Sequence, residues 1–287
     1  MELVPASDVA RWLTCHTGCI IGHDRTHPRG VRGAGREARG PADGGAVRQR
    51  SLSPRVMGDR ELMRVHVETL FTHDAHGRLV QVNEPEGAPA PRFFLGRTVE
   101  GVVLRLRHDV GADVKRELEA TVRSDVFQEH VVDSPTDPSR YVEILARSAP
   151  VNRTWAGPAF AFPPELPPPT DTVRVTEQNA HVLHPALEAW IPDVPLSQPM
   201  VVVVIDGHAA AVCCSVRRAA YAHEAGVETA RPYRGRGYAA RAVAAWARAV
   251  REMGRAPLYS TSWENEASRA VARQLALIPF GSDLHIT

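Results

Sequence analysis

The residues best suited to chemistry stand together in the stretch Val227–Ala239, whose centre is Arg234, Gly235, Arg236, Gly237, Tyr238 and Ala239. Glycine adopts positive φ without steric cost and lets a backbone approach a ligand closely. Between a strand and a helix start, Gly235 and Gly237 would leave free N–H groups and the positive helix end facing an anion, phosphate above all. Arg234 and Arg236 would add full positive charge beside it. The competing reading is a surface turn that is merely rich in Arg and Gly, so the flanking elements must decide.

Upstream, Met200–Ile205 is a continuous valine-rich run that ends in Asp206 and Gly207, a hairpin signal. Ala209–Val216 reads as its partner and Ala222–Thr229 as a third strand. Valine and isoleucine without strict alternation predict strands covered on both faces. Downstream, a helix is predicted from about Gly237 to Met253, with Ala239, Val243, Trp246, Val250 and Met253 on one stripe and Gly254 as its cap. A strand at Leu258–Ser262 follows. Asn265 is placed to cap a helix from Glu266 to about Leu277, with Ala267, Val271 and Leu275 inward, and Pro279–Ile286 closes the chain as a strand or strand pair.

This order of elements and two motifs resemble the GNAT superfamily of N-acetyltransferases. Arg234, Gly237 and Ala239 match its Arg/Gln-x-x-Gly-x-Gly/Ala acyl-CoA motif. Trp263, Glu264, Asn265, Ser268, Val271, Ala272 and Leu275 are similar to its second helix signature. The resemblance covers about Asp171 to Ile286 and implies a mixed, largely antiparallel sheet flanked by helices. It further implies that N–H groups of Gly235, Arg236, Gly237, Tyr238 and Ala239 hold the CoA pyrophosphate. Val227 and Thr229 would give main-chain bonds to the pantetheine arm, as an added strand does, and Asn265 and Ser268 would approach the arm and thioester. Many relatives carry a carboxylate base on the strand before the Gly-rich turn, which here points to Glu224, acting directly or through a water. His223 and Glu228 are alternatives, and strand alternation puts Glu224 and Glu228 on one face and His223 on the other. In one respect the chain departs from the family: a tyrosine general acid often lies three or four residues beyond Ser268, where Val271 and Ala272 stand. Ser268, water, Tyr221 or Tyr259 would have to protonate the leaving thiolate, or transfer is slow or absent.

The rest of the chain bounds the reading. At 287 residues, 44% apolar and 23% charged, the sequence is that of an ordinary globular protein with a sizeable core. Residues 1–55 form an Arg/Gly/Pro-rich tail expected to be disordered. Arg25, Arg29, Arg32, Arg36, Arg39, Arg48, Arg50 and Arg55 would allow a nucleic-acid-binding arm, but a net charge of +1 and the absence of an aromatic stacking platform argue against it. Cys15, His16, Cys19 and His23 give a weak zinc signal; a natural start at Met57 or Met63 would leave the tail without a role. Residues 56–165 read as a small α/β region. Within it Glu61–Phe71 fits helix or strand, Leu79–Val82, Pro91–Arg97 and Val102–Leu106 are strands, and Asp113 starts a helix to about Val122. His66, His73, His76 and His108 share no spacing and are expected to be structural or surface residues. Pro163–Thr170 is a semi-rigid linker, followed by a strand at Thr172–Val175 and a helix at Ala180–Trp190. No run approaches the roughly 18–20 apolar residues of a membrane span. Cys213 and Cys214 are adjacent in a strand and point to opposite faces, so a cytoplasmic protein with reduced thiols is expected.

These observations together predict a GNAT-like domain at 166–287 that transfers an acetyl group from acetyl-CoA, without a metal, to a primary amine on a small molecule or peptide by direct attack. The competing expectation is a non-catalytic acyl-CoA-binding or regulatory module. The N-terminal half would cover the acceptor site or serve as a dimer contact; no membrane partner is expected.

Overall fold

The computed structural model describes residues 57–85, 87–126 and 134–287. The tail expected to be disordered, its arginine arm and its Cys/His set lie outside the described residues.

In chain order the elements are α1 (Asp59–Leu70), β1 (Phe71–His73), β2 (Leu79–Val82), β3 (Phe93–Thr98), β4 (Gly101–Leu106), α2 (Ala112–Val126) and α3 (Ser139–Ala146). Then come β5 (Thr154–Ala161), β6 (Thr172–Val175), β7 (Met200–Ile205), β8 (His208–Arg218) and β9 (Ala222–Thr229). The chain ends with α4 (Tyr238–Glu252), β10 (Ala256–Ser260), α5 (Glu266–Gln274) and β11 (Ile278–Ile286). Nine strands form one sheet in the order β4-β3-β11-β5-β10-β9-β8-β7-β6, all neighbours antiparallel except β9 and β10, and β1 and β2 pair separately. The fold is therefore α/β with a mixed, largely antiparallel sheet. Its interior strand β5, between β11 and β10, comes from residues 154–161, so the N-terminal region builds the same sheet that the C-terminal strands do.

Side-chain alternation sorts the helices onto the two faces. Ala225 and Val227 of β9 and Tyr259 of β10 point to α4 and α5, packing with Val243, Trp246, Val250 and Val271. Ala222, Leu258, Ala159 and Ala161 point the other way, to Leu62, Met63 and Val67 of α1. Cys213 and Cys214 obey the same rule and lie in the cores of opposite faces.

The structure departs from expectation at Ala180–Trp190 and settles an open choice at Glu61–Phe71. Ala180–Trp190 is not one helix but parts of two 3-10 turns, Glu177–Leu183 and Glu188–Asp193. Pro185 cannot donate a helical hydrogen bond and biases His184 to the extended conformation it adopts. Glu61–Phe71, which fits helix or strand in the sequence, is the helix α1 up to Leu70. Its buried face includes Leu62, His66 and Leu70, a spacing of four that is complete only if the histidine counts as an inward position.

The feature that matters for function is a split in the sheet. The pairing of β9 with β10 covers Ala222↔Ala256, His223↔Pro257 and Glu224↔Leu258. Beyond that point β9 runs on to Thr229 beside β8, while β10 turns its remaining length to β5, with Ser260 opposite Ala159. The two strands part beyond Glu224 and Leu258, and their separation leaves a notch in the ladder there.

Candidate active site

On the α4 side, the strand-to-helix turn has the backbone that its glycines suggest. Gly235 has φ +74° and Gly237 φ +77°, and Gly237 is the N-cap of α4. No side chain caps this helix; its first main-chain bond runs from Arg241 N–H to the Gly237 carbonyl, 3.3 Å. The helix start therefore presents N–H groups and partial positive charge without a protein acceptor at the cap. Arg234, Gly235 and Arg236 are exposed, and Gly237, Tyr238 and Ala239 are half-buried. Arg234 Nε donates to the Thr229 carbonyl at 3.2 Å, tying the turn to the end of β9.

α5 lies alongside. A Cβ placed on Gly237 would come within 3.1 Å of Gln274 Nε2, so the last residue of α5 borders the turn. At the other end of that helix Asn265 Oδ1 accepts the Ser268 N–H at 3.0 Å, the cap that the sequence suggests. Asn265 Nδ2 is buried without a hydrogen-bond partner, as are Thr261 Oγ1 and Trp263 Nε1 on the segment leading into it. Buried polar atoms are normally satisfied, so these three, within five residues of the chain, are exceptions. Ser268 is buried, with its Oγ 2.5 Å from the Tyr259 hydroxyl. Val271 and Ala272, where a tyrosine is absent, pack into the core. Of the two tyrosines considered in its place, Tyr221 is exposed on the turn between β8 and β9, and Tyr259 sits at Ser268.

The three candidate bases on β9 have separate surroundings. His223 lies on the α4 face, where its Nδ1 is 2.9 Å from Ser215 Oγ, which also accepts from Trp246 Nε1 at 3.0 Å. Burial, with Arg255 and Arg218 nearby, pushes its pKa down to about 4, so it is neutral and structural. Glu228 Oε2 accepts from Trp190 Nε1 at 2.7 Å, fixing the second 3-10 turn to the sheet. Glu224 is fully buried at the notch, on the α1 face. Its Oε1 accepts from Ser260 Oγ at 2.8 Å, and its Oε2 is 3.4 Å from His66 Nδ1. His66 Nε2 is 3.3 Å from Asp283 Oδ2, which is also 2.7 Å from His285 Nε2. These are ion-pair separations; neither nitrogen of His66 makes a hydrogen bond of ordinary angle.

Ser260 and His285 line one small cavity with Leu70, Phe71, Val82, Trp155 and Arg217. It has about 20 Å³ open to the centre of a water molecule, room for one or two waters. Arg217 is buried, lies opposite Glu224 in the strand register and forms an ion pair with Glu84. The site thus brings Glu224 to the notch together with residues that sequence reasoning missed: His66, Ser260, Asp283 and His285. The available signal was His66 itself, a polar residue on the inward stripe of α1.

Residues 167–276 match the acetyltransferase (GNAT) family model, so the C-terminal part of the chain carries a GNAT acetyltransferase domain. No curated protein matches the sequence. Among solved structures, an acetyltransferase of the GNAT family from Novosphingobium aromaticivorans is 21% identical, with 47% of this chain and 65% of that one covered and a TM-score of 0.41. The chain thus spans just under two thirds of that protein's length. A GCN5-related N-acetyltransferase from Kribbella flavida is 19% identical, over 80% of this chain and 96% of that one, at a TM-score of 0.43. A GCN5-related N-acetyltransferase-like protein from Streptococcus suis is 14% identical, over 70% and 85%, at a TM-score of 0.40.

Proposed function

We propose that the protein is an N-acetyltransferase that moves the acetyl group of acetyl-CoA to a primary amine by direct attack. The observation that carries this reading is the notch, with a glycine turn and unsatisfied amide on one side and a buried carboxylate on the other. The N–H groups of Gly235 to Ala239, with Arg234 and Arg236, hold the pyrophosphate at the start of α4. The pantetheine arm follows α5 toward the notch, bonded by the main chain of Val227 and Thr229 and by Asn265. The acceptor amine comes from the α1 side. Its proton passes to the Ser260 hydroxyl as the Ser260 proton passes to Glu224 Oε1, and the neutral amine attacks the thioester carbonyl. The C–N bond forms, the C–S bond breaks, and the CoA thiolate takes a proton from the Ser268–Tyr259 hydroxyl pair; the new amide nitrogen releases its second proton to solvent and the hydroxyl pair recovers one from solvent.

The test is calorimetric titration with acetyl-CoA and CoA, then thiol release against a panel of primary amines. The expected result is binding of both and thiol release that requires an amine. Binding without release across amines would favour a regulatory acyl-CoA-binding module, the reading to which the missing helix tyrosine lends support. Absence of binding by folded protein would refute both.

Tyr259→Phe separates the two readings further. It removes the hydroxyl beside Ser268 and little volume, so kcat should fall by about 10²-fold, with acetyl-CoA affinity unchanged. An undiminished kcat would remove Tyr259 from the proton path.

A further inference from the structure

We infer that His66, from the N-terminal region, is the positioning residue of this active site, holding the Glu224 carboxylate turned so that Oε1 meets Ser260, which lines the cavity. The inference rests on Glu224 as the proton acceptor proposed above. His66 and Asp283 both lie outside residues 167–276, so nothing in the family match assigns them.

The geometry is specific. The imidazole stands over β5, where the strand residues level with Asp283 and Ser260 are Gly157 and Ala159, too small to occupy the space the ring takes. Nδ1 meets Glu224 from β9 and Nε2 meets Asp283 from β11, so one ring spans the two strands on either side of β10 and β5. The Phe280 ring closes one side of the imidazole at 5.8 Å and 75°. The side chains of His66, Glu224 and Asp283 are all fully buried. A buried ion pair seldom stabilises a core better than apolar packing, and the neighbouring inward positions of α1, Leu62, Met63, Val67 and Leu70, are apolar. A charged triad in that stripe, ending at the notch, points to use rather than stability.

The charged groups facing the triad are few. His285 touches Asp283 from the same strand, and Arg217 lies opposite Glu224 on β8 with Glu84 as its partner. Burial alone would discharge the imidazole, but Asp283 and Glu224 overcome it and raise its pKa to about 10. An imidazolium between the two carboxylates faces Glu224 Oε2 and leaves Oε1 to Ser260, which lines the cavity. Without it, two buried carboxylates would share the space with no cation between them, and protonating one of them would become favourable.

The experiment is the pH dependence of kcat/KM for wild type and His66→Gln, alongside ¹⁵N-histidine NMR of wild type and Glu224→Gln. In His66→Gln the acid limb should move up by roughly 1–2 pH units, with KM for acetyl-CoA unchanged. A variant that loses activity with its acid limb in place shows a merely structural histidine and overturns the inference. Should the variant not fold, the NMR decides: one histidine of the wild type keeps both ring nitrogens protonated at pH 8, and its resonances shift in Glu224→Gln. Absence of such a histidine overturns the inference as well. A wild-type protein that shows this histidine but no amine-dependent thiol release refutes the acyltransferase reading, and with it the role assigned here.

Discussion

Replacing Gly237 by valine should abolish acetyl-CoA binding while leaving the protein folded. Gly237 sits at φ +77° where α4 starts. A left-handed backbone costs a residue with a Cβ about 1–2 kcal/mol, and a β-branched side chain is among the worst tolerated there. The added Cβ would lie 3.1 Å from Gln274 Nε2, the far end of a flexible side chain that can move aside. The fold, with a typical stability of about 5–15 kcal/mol, survives such a cost. The anion site does not. Valine either turns the peptide so that the N–H groups of Gly237 and Tyr238 leave their common direction, or places methyl groups where a pyrophosphate oxygen must approach. Hydrogen bonds to a charged group contribute about 1.5–3 kcal/mol each, so losing two weakens binding by at least ~10²-fold. Calorimetry measures this directly, with thermal unfolding as the check on the fold. An unchanged affinity in folded protein would mean that the turn does not hold the donor. Gly235 gives the internal comparison: a Cβ there meets nothing within 4 Å, so Gly235→Ala bears mainly the backbone cost of φ +74° and should lose less.

The parts of this site that were legible in the sequence are those encoded locally. Asp206 and Gly207 mark a hairpin because the turn needs positive φ, and both residues have it. Gly235 and Gly237 mark the turn before α4 for the same reason, and Asn265 caps α5 because its side chain reaches the third amide onward. The illegible parts depend on contacts far along the chain. β5 carries Gly157 and Pro158, residues that argue against a central strand, yet it lies between β11 and β10 because Gly157 passes against the Thr261 carbonyl where any Cβ would collide. Nothing near residue 157 announces that partner. The triad is the extreme case: Glu224 and Asp283 are brought near one another by the strand order and His66 by the packing of α1, and the four scattered histidines share no spacing, so only the inward place of His66 on α1 sets it apart. Glu228 and His223, the alternatives to Glu224, are set apart by Trp190 and by Ser215, which reach them from other elements.

Glu224→Gln should carry the largest kinetic effect, lowering kcat/KM at neutral pH by about 10²–10⁴-fold, the range of general acid–base catalysis. The amide is nearly isosteric and its oxygen can still accept from Ser260, whose Oγ lies 2.8 Å from Glu224 Oε1. What it cannot do is accept the proton that Ser260 relays from the amine. The acid limb of the pH–rate profile, which reports the ionisation of that base, should therefore disappear and not merely shift; this separates the substitution from His66→Gln, where the limb persists at higher pH. Acetyl-CoA affinity should be unchanged, because the carboxylate lies on the α1 face and the turn and Asn265 serve the other. His66 keeps Asp283 as its remaining counter-charge, so the imidazolium is not left alone in the core. Removing one member of a buried ion pair still costs up to several kcal/mol, which makes a lower unfolding temperature part of the expected result; the acetyl-CoA titration shows that the site remains assembled. An unchanged rate and acid limb would move the proton acceptor elsewhere. Glu228 is held by Trp190 and His223 faces α4, so a water in the cavity, with no protein base, would then have to carry the chemistry.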